Sequence, residues 1–116
     1  MIELISAERC VGCQLCVRVC PTNVFDFDRT AKLPVTARQE DCQTCFMCEA
    51  YCPADALYVA PQAERRVEAE EAELASAGLL GSWRSEIGWS PGVPDTMAER
   101  DTTPWFEEFT LRHRGR

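Results

Sequence analysis

Residues 10–21 read CVGCQLCVRVCP, and residues 42–53 read CQTCFMCEAYCP. Both stretches follow the pattern C-x2-C-x2-C-x3-C-P, and the second lies 32 residues after the first. The similarity extends beyond the cysteines, because Phe25 of the first copy corresponds in character to Leu57 of the second. Such a repeat predicts two copies of one small unit packed about a pseudo-twofold axis.

The close spacing of the cysteines indicates iron–sulfur cluster binding. Short spacers let three side chains converge from one tight loop, while the fourth ligand comes from elsewhere. In the bacterial two-cluster pattern, the fourth cysteine of each run binds the other cluster. This pattern predicts one cluster on Cys10, Cys13, Cys16 and Cys52, and a second cluster on Cys42, Cys45, Cys48 and Cys20.

Zinc and disulfides are the alternative interpretations of the cysteines. Zinc sites favour two separated pairs of ligands, often with histidine, and the single histidine, His113, is far from both runs in the sequence. Disulfides persist in oxidising compartments. The sequence shows no signal peptide and no apolar run of the ~18 residues that span a bilayer. We therefore expect cytoplasmic localisation and reduced cysteines that bind metal.

The charge of the chain argues against two classes of partner. The formal net charge is −7, and Lys32 is the one lysine among twelve basic residues. Nucleic-acid binding needs a cationic surface, and anionic membranes attract basic segments. Neither partner is therefore expected.

The pattern of apolar residues predicts short secondary-structure elements. A helical turn or two is expected between the third and fourth cysteines of each run, and Pro61 is followed by a helix over residues 62–77 that Gly78 and Gly81 end. Strands are expected at residues 2–6, 24–28, 33–37 and 57–60.

Side chains within and beside the cysteine loops divide into two groups. The apolar ones predict a sheath around the clusters, with Tyr51 or Phe46 as a sharper alternative for an electron path. The charged ones predict solvated surface. The sheath is Val11, Leu15, Val17, Val19, Phe46, Met47 and Tyr51, and the charged residues are Arg9, Arg18, Asp41 and Glu49.

Residues 1–60 resemble a bacterial-type ferredoxin with two [4Fe–4S] clusters, because both cysteine runs are complete. The resemblance implies an α+β fold, the ferredoxin-like two-cluster fold, with short antiparallel sheets and short helices. The predicted domains are therefore this module, residues 1–60, and a C-terminal extension, residues 61–116.

The C-terminal extension contains all three tryptophans, Trp83, Trp89 and Trp105, among many prolines and glycines. Three conformations are considered for it: an extended, partly helical arm that wraps a partner, an extension that packs on the module, and disorder. The layout resembles the iron–sulfur (β) subunits of adenylylsulfate-reductase-like flavoprotein oxidoreductases. This resemblance implies a larger catalytic subunit that carries FAD, but no particular substrate.

The expected function is an electron-transfer subunit that relays electrons through two clusters to or from a larger flavoprotein subunit or an external carrier. The cysteines are predicted to be ligands rather than nucleophiles, and the chain alone is expected to turn over no substrate. A free-standing soluble ferredoxin is the first alternative. A non-redox scaffold, in which the clusters are purely structural, is the second.

Overall fold

The computed structural model describes residues 1–90 and shows a small α+β fold. Its strands and helices are short, with no strand longer than four residues and no helix longer than six in the described part. In chain order the elements are β1 (Ile2–Ile5), α1 (Leu15–Val19), β2 (Phe25–Asp28), β3 (Leu33–Thr36), a 3-10 turn (Gln39–Asp41), α2 (Met47–Tyr51), β4 (Leu57–Val59), α3 (Glu71–Ser76) and α4 (Ser82–Glu86). The four expected strands are confirmed, each one residue shorter than predicted.

Each of the two sheets combines one strand from each sequence repeat. β1 pairs with β4 in antiparallel fashion, with Ile2 opposite Val59 and Ile5 opposite Leu57. β2 pairs with β3, also antiparallel, and Phe25 lies opposite Thr36. Because no sheet forms within one repeat, the two halves of the module hold each other in place.

The local backbone repeats with the same shift as the sequence. Helix α2 begins and ends 32 residues after α1. Three positions adopt a left-handed conformation in both copies, although only one of the six residues is glycine, so the loop geometry outweighs the usual steric preference. The pairs are Gly12 (φ 72°) with Thr44 (56°), Gln14 (63°) with Phe46 (62°), and Asn23 (55°) with Asp55 (49°).

The core lies between the sheets and the cysteine loops. Ile2, Val24, Ala56 and Leu57 are each 1% exposed, and they belong to the same packed cluster as Cys16, Cys48 and Cys52. A core of this size is small for independent stability, and small domains commonly depend on a metal or a disulfide.

The predicted helix over residues 62–77 is wrong in its first part, because the helix is only Glu71–Ser76. A tertiary contact outweighs the helix propensity of this segment. The buried carboxylate of Glu3, on β1, accepts a hydrogen bond from the backbone N–H of Val67, and Arg66 lies 3.8 Å from the same side chain. This contact holds the segment beside β1.

Residues 81–89 fold back onto the module. The N–H of Gly81 donates to the carbonyl of Leu57 at 3.1 Å, and the Trp83 ring packs on Phe46 with centroids 5.0 Å apart. Self-packing therefore describes this part of the extension. The rest of the predicted arm, which includes Trp105, lies outside the described residues. Over residues 1–90, none of the helices has the length and apolar character needed to cross a bilayer.

Candidate metal centre

Two cavities in the module are each lined by four cysteines. Cys10, Cys13, Cys16 and Cys52 line the first cavity, which we call site 1. Cys20, Cys42, Cys45 and Cys48 line the second, site 2. Three cysteines of each set come from one run and the fourth comes from the other run. The cysteines that line the two cavities are the same as the two predicted ligand sets, and the binding of a cluster by each set stays a prediction.

The backbone around each helix explains this crossed grouping. Cys16 and Cys48 lie in α1 and α2 and are buried. Cys20 and Cys52 follow the last helical residue in an extended conformation, with ψ near 116° and 112°. The proline after each of them cannot continue the helix. The fourth cysteine therefore leaves its own loop and reaches the other cavity.

The remaining lining of the two cavities is mostly apolar and follows the repeat. Val24 and Phe25 line site 2, and their counterparts Ala56 and Leu57 line site 1. Phe46 at site 2 corresponds to Gln14 at site 1. Apolar walls lower the local polarity around the buried cysteines, which strengthens electrostatic effects on a bound group, whereas Cys13 at site 1 and Cys45 at site 2 are exposed.

Backbone N–H groups point at several of the sulfur atoms. Val24 donates to Cys20 Sγ and Ala56 donates to Cys52 Sγ, both at 3.4 Å. These two bonds are related by the repeat. Donors of this kind stabilise a thiolate, and they are a recognised influence on the potential of iron–sulfur sites.

Burial shifts the pKa of several thiols. Burial raises the pKa of Cys16 to about 11, and it raises the pKa of Cys48 strongly as well. Burial also opposes ionisation of Cys20, but the N–H of Val24 and the groups of Thr22 outweigh it and lower the pKa of that thiol. Because ligands bind iron as thiolates, binding must displace protons from the buried cysteines.

The chemistry of both sites fits a cluster rather than a single ion. All eight cysteines are free thiols. Within residues 1–90, no three histidine, cysteine or carboxylate side chains converge on a point that would hold one metal ion. Four sulfur donors distributed around an apolar cavity match the ligand set of a [4Fe–4S] cluster, whereas a zinc site closes tightly on its ion.

Comparison with known proteins agrees with this geometry. The family model for the 4Fe-4S dicluster domain matches residues 9–56. A ferredoxin of Methanothermococcus thermolithotrophicus is 37% identical over 57 residues, which cover 47% of this chain and 92% of the relative. The chain belongs to the ferredoxin family. It is a ferredoxin-type iron–sulfur electron carrier.

A second relative extends the comparison. An uncharacterized ferredoxin of Methanocaldococcus jannaschii is 38% identical over 64 residues, which cover 53% of this chain and all of the relative. No solved structure matches the chain. About half of this ferredoxin therefore has no counterpart in these two relatives.

Glu49 is the important residue that sequence reasoning misjudged. It was expected to be a solvated surface charge, but it is 1% exposed. Its carboxylate accepts hydrogen bonds from the N–H of Val59 at 2.9 Å and the N–H of Trp83 at 2.8 Å. Burial raises the pKa of Glu49, while these donors act in the opposite direction. The available signal was the repeat, which places Glu49 at the position of the apolar Val17.

The apolar sheath is confirmed only in part. Phe46 lines site 2 as predicted, and Val17 packs against the core. Val11 also lines site 1, but it is 68% exposed. Tyr51 is 43% exposed and packs edge-on against Trp89, with ring centroids 5.3 Å apart. The loop around site 1 is therefore open to solvent at Val11.

Proposed function

We propose that this ferredoxin is the electron-transfer subunit of a larger oxidoreductase, and that it relays electrons through two [4Fe–4S] clusters. Cys10, Cys13, Cys16 and Cys52 bind the cluster at site 1, and Cys42, Cys45, Cys48 and Cys20 bind the cluster at site 2. The larger subunit carries FAD and the substrate, and the complex is cytoplasmic. The bound clusters supply one-electron oxidation and reduction, while the protein holds them, shields them and sets their potentials.

The observation that carries the subunit proposal is an exposed apolar surface beside site 2. We call it the docking surface, and it consists of Met47, Tyr51, Trp83 and Trp89. These side chains are 39%, 43%, 37% and 46% exposed, respectively. Large aromatic side chains are enriched at protein interfaces, where a few of them often contribute most of the binding energy.

The docking surface is built jointly by the cysteine module and the extension. Met47 and Tyr51 belong to α2, whereas Trp83 belongs to α4 and Trp89 follows it. Arg84, also in α4, donates to the carbonyl of Cys52 at 2.6 Å and fixes α4 to the module. A partner bound here would lie close to Phe46, which lines site 2.

The position of the two sites supports a relay. Cys16 of site 1 and Cys48 of site 2 are buried in one continuous core. Each site also takes one cysteine from the loop of the other, which keeps the two sites adjacent. An electron that enters at one site can therefore pass to the other.

Affinity purification from the native host tests the proposal. A C-terminally tagged chain is expected to co-purify with a larger subunit that contains flavin, detected by its absorbance and by mass spectrometry. Trp83→Ala together with Trp89→Ala should reduce the recovery of that subunit by at least tenfold. Val35→Ala is the matched control, because Val35 is a 46% exposed apolar residue of β3 outside the docking surface.

A free-standing ferredoxin is the second candidate, and the comparisons fit it equally well. Both relatives are named ferredoxins and are matched over 92% and 100% of their lengths. Under this alternative, the tagged chain would be recovered as a monomer without a stoichiometric partner. The double tryptophan variant would then leave its elution volume unchanged.

A further inference from the structure

We propose that Thr22 and Ile2 raise the reduction potential at site 2 relative to site 1. The two sites are built from residues at equivalent positions of the repeat. Each hydrogen-bond donor at one site can therefore be compared with the residue at the same position of the other site. Two donors reach sulfur atoms of site 2, while the residues at the corresponding positions of site 1 cannot donate. This inference rests on the cluster ligands proposed above.

The first difference is the hydroxyl of Thr22. Thr22 Oγ1 lies 3.7 Å from Cys20 Sγ. A cysteine sulfur bound to iron is a thiolate, which has no proton and can only accept, so the hydroxyl must donate. The repeat-related residue is Ala54, which lines site 1 and has no hydroxyl.

The second difference is a backbone N–H. The N–H of Ile2 donates to Cys42 Sγ at 3.4 Å. The repeat-related residue is Pro34, which lines site 1, and proline has no N–H. Site 1 therefore lacks both the side-chain donor and the backbone donor that site 2 possesses at these positions.

The remaining N–H donors to cysteine sulfur are nearly equal in number at the two sites. Val24 and Ala56 donate at equal distances to Cys20 and Cys52, one bond at each site. Gly12 adds a donor at site 1, with its N–H 3.4 Å from Cys10 Sγ. This bond offsets one of the two additional donors at site 2, so a net difference in favour of site 2 remains.

Electrostatics gives the sign of the effect. Reduction adds one negative charge to a cluster and its thiolates, and a hydrogen bond to sulfur stabilises that charge. Burial acts in the opposite direction, because a charge is less stable in an apolar environment. Cys52 at site 1 is buried, whereas Cys20 at site 2 is only half-buried. Burial of this cysteine pair therefore favours the reduced state at site 2, whereas the apolar ring of Phe46, which lines site 2 where Gln14 lines site 1, opposes it. The proposed difference accordingly rests on the hydrogen bonds.

Substitutions at Thr22 test the proposal. Phe46, whose apolar ring opposes reduction at site 2, is the same in every variant. Thr22→Val removes the hydroxyl at nearly constant volume, and Thr22→Ser keeps it. The full chain is reconstituted anaerobically, and the two potentials are measured by potentiometric titration with EPR detection. Contact-shifted NMR signals of the cysteine β-protons assign each potential to a site. We expect T22V to shift the potential of site 2 to a more negative value, T22S to keep the wild-type value, and both to leave site 1 unchanged.

Substitutions at site 1 provide the reciprocal test. Ala54→Thr introduces a hydroxyl and Pro34→Ala introduces an N–H, so each is expected to move the potential of site 1 to a more positive value. If T22V fails to assemble two clusters, these two variants decide the question. Unchanged potentials in fully loaded T22V, A54T and P34A would overturn the tuning inference alone. Wild-type protein with clusters bound by other residues would overturn the ligand assignment instead.

Discussion

The carboxylate of Glu49 and the backbone N–H of Trp83 lie 2.8 Å apart and connect the cysteine module to the extension. Glu49 follows Cys48 directly in α2, so the connection reaches the chain segment that forms site 2. The same carboxylate accepts from Val59 on β4 and from the hydroxyl of Ser82. One buried side chain therefore joins three separate parts of the chain.

Replacing Glu49 with glutamine should loosen this connection. Glutamine offers one acceptor oxygen and adds two donors, so the N–H of Val59 or of Trp83 would face another N–H. A buried unsatisfied group costs about 1–3 kcal/mol. We expect a loss of that order in the free energy of unfolding, measured by denaturant titration, and faster proteolysis between α3 and α4. Glu73→Gln is the control, because Glu73 is exposed on α3, and an equal loss in both variants would contradict the assigned role.

The crossed grouping of the cysteines predicts which substitutions share a phenotype. Cys52→Ser should resemble Cys10→Ser, because both residues line site 1, although they belong to different runs. Each is expected to remove one cluster of the two, about four of about eight irons. Iron and sulfide analysis with EPR of the remaining cluster provides the measurement. If C52S instead matched C42S in its EPR spectrum, each run would be binding its own cluster.

Removal of iron should unfold the module. The free energy of cluster binding contributes to folding in a small domain, and the core of residues 1–60 is modest. We expect chelation under reducing conditions to abolish the circular dichroism of the folded state, and anaerobic addition of iron and sulfide to restore it. Native-like secondary structure in the metal-free protein would show that the core suffices by itself.

The pH dependence of reconstitution follows from the buried thiols. Burial raises the pKa of Cys16 to about 11 and raises that of Cys48 in the same direction. The neutral thiol is therefore the favoured form below that range, and protons compete with iron. We expect the rate and extent of cluster assembly to increase as the pH rises from neutrality towards 9, with release of protons that a pH-stat can measure. Assembly that is insensitive to pH would contradict this.

Trp83 is expected to protect site 2 from solvent. Its ring covers Phe46 at a centroid distance of 5.0 Å, and Phe46 lines site 2. Trp83→Ala should weaken the fold by about 0.5–1.5 kcal/mol from the lost aromatic pair and should speed the loss of the site 2 cluster in air. Visible absorbance and EPR follow the loss at each site. Leu79→Ala is the control, since Leu79 is a 39% exposed apolar residue that belongs to neither aromatic pair.

The repeat in the sequence accounts for most of what was predicted correctly. Elements that depend on the cysteine spacing, such as α1 and α2, follow from local pattern and from the prolines after Cys20 and Cys52. The grouping of the cysteines in two cavities follows from the same pattern. These features are local or occur in both copies of the repeat, so a prediction made for one copy can be compared with the same prediction for the other.

The features that were missed depend on contacts between distant parts of the chain. The segment before α3 has high helix propensity, but Glu3 binds the N–H of Val67 from 64 positions away. Glu49 is polar, and its hydrogen bonds with the N–H groups of Val59 and Trp83 offset the energetic cost of burying its carboxylate. No local pattern specifies such partners. Composition alone therefore assigned the segment before α3 to a helix and Glu49 to the surface.

The pairing of β1 with β4 and of β2 with β3 means that neither half of the module contains a complete sheet. A single copy could satisfy its strands and its fourth cysteine only by associating with another copy. The module therefore resembles a dimer of two copies that a short turn between β2 and β3 links covalently. In this turn the Asp28 carboxylate accepts a hydrogen bond from the N–H of Thr30 at 2.9 Å. Cutting that turn should therefore yield two fragments that reassemble, rather than two independent electron carriers.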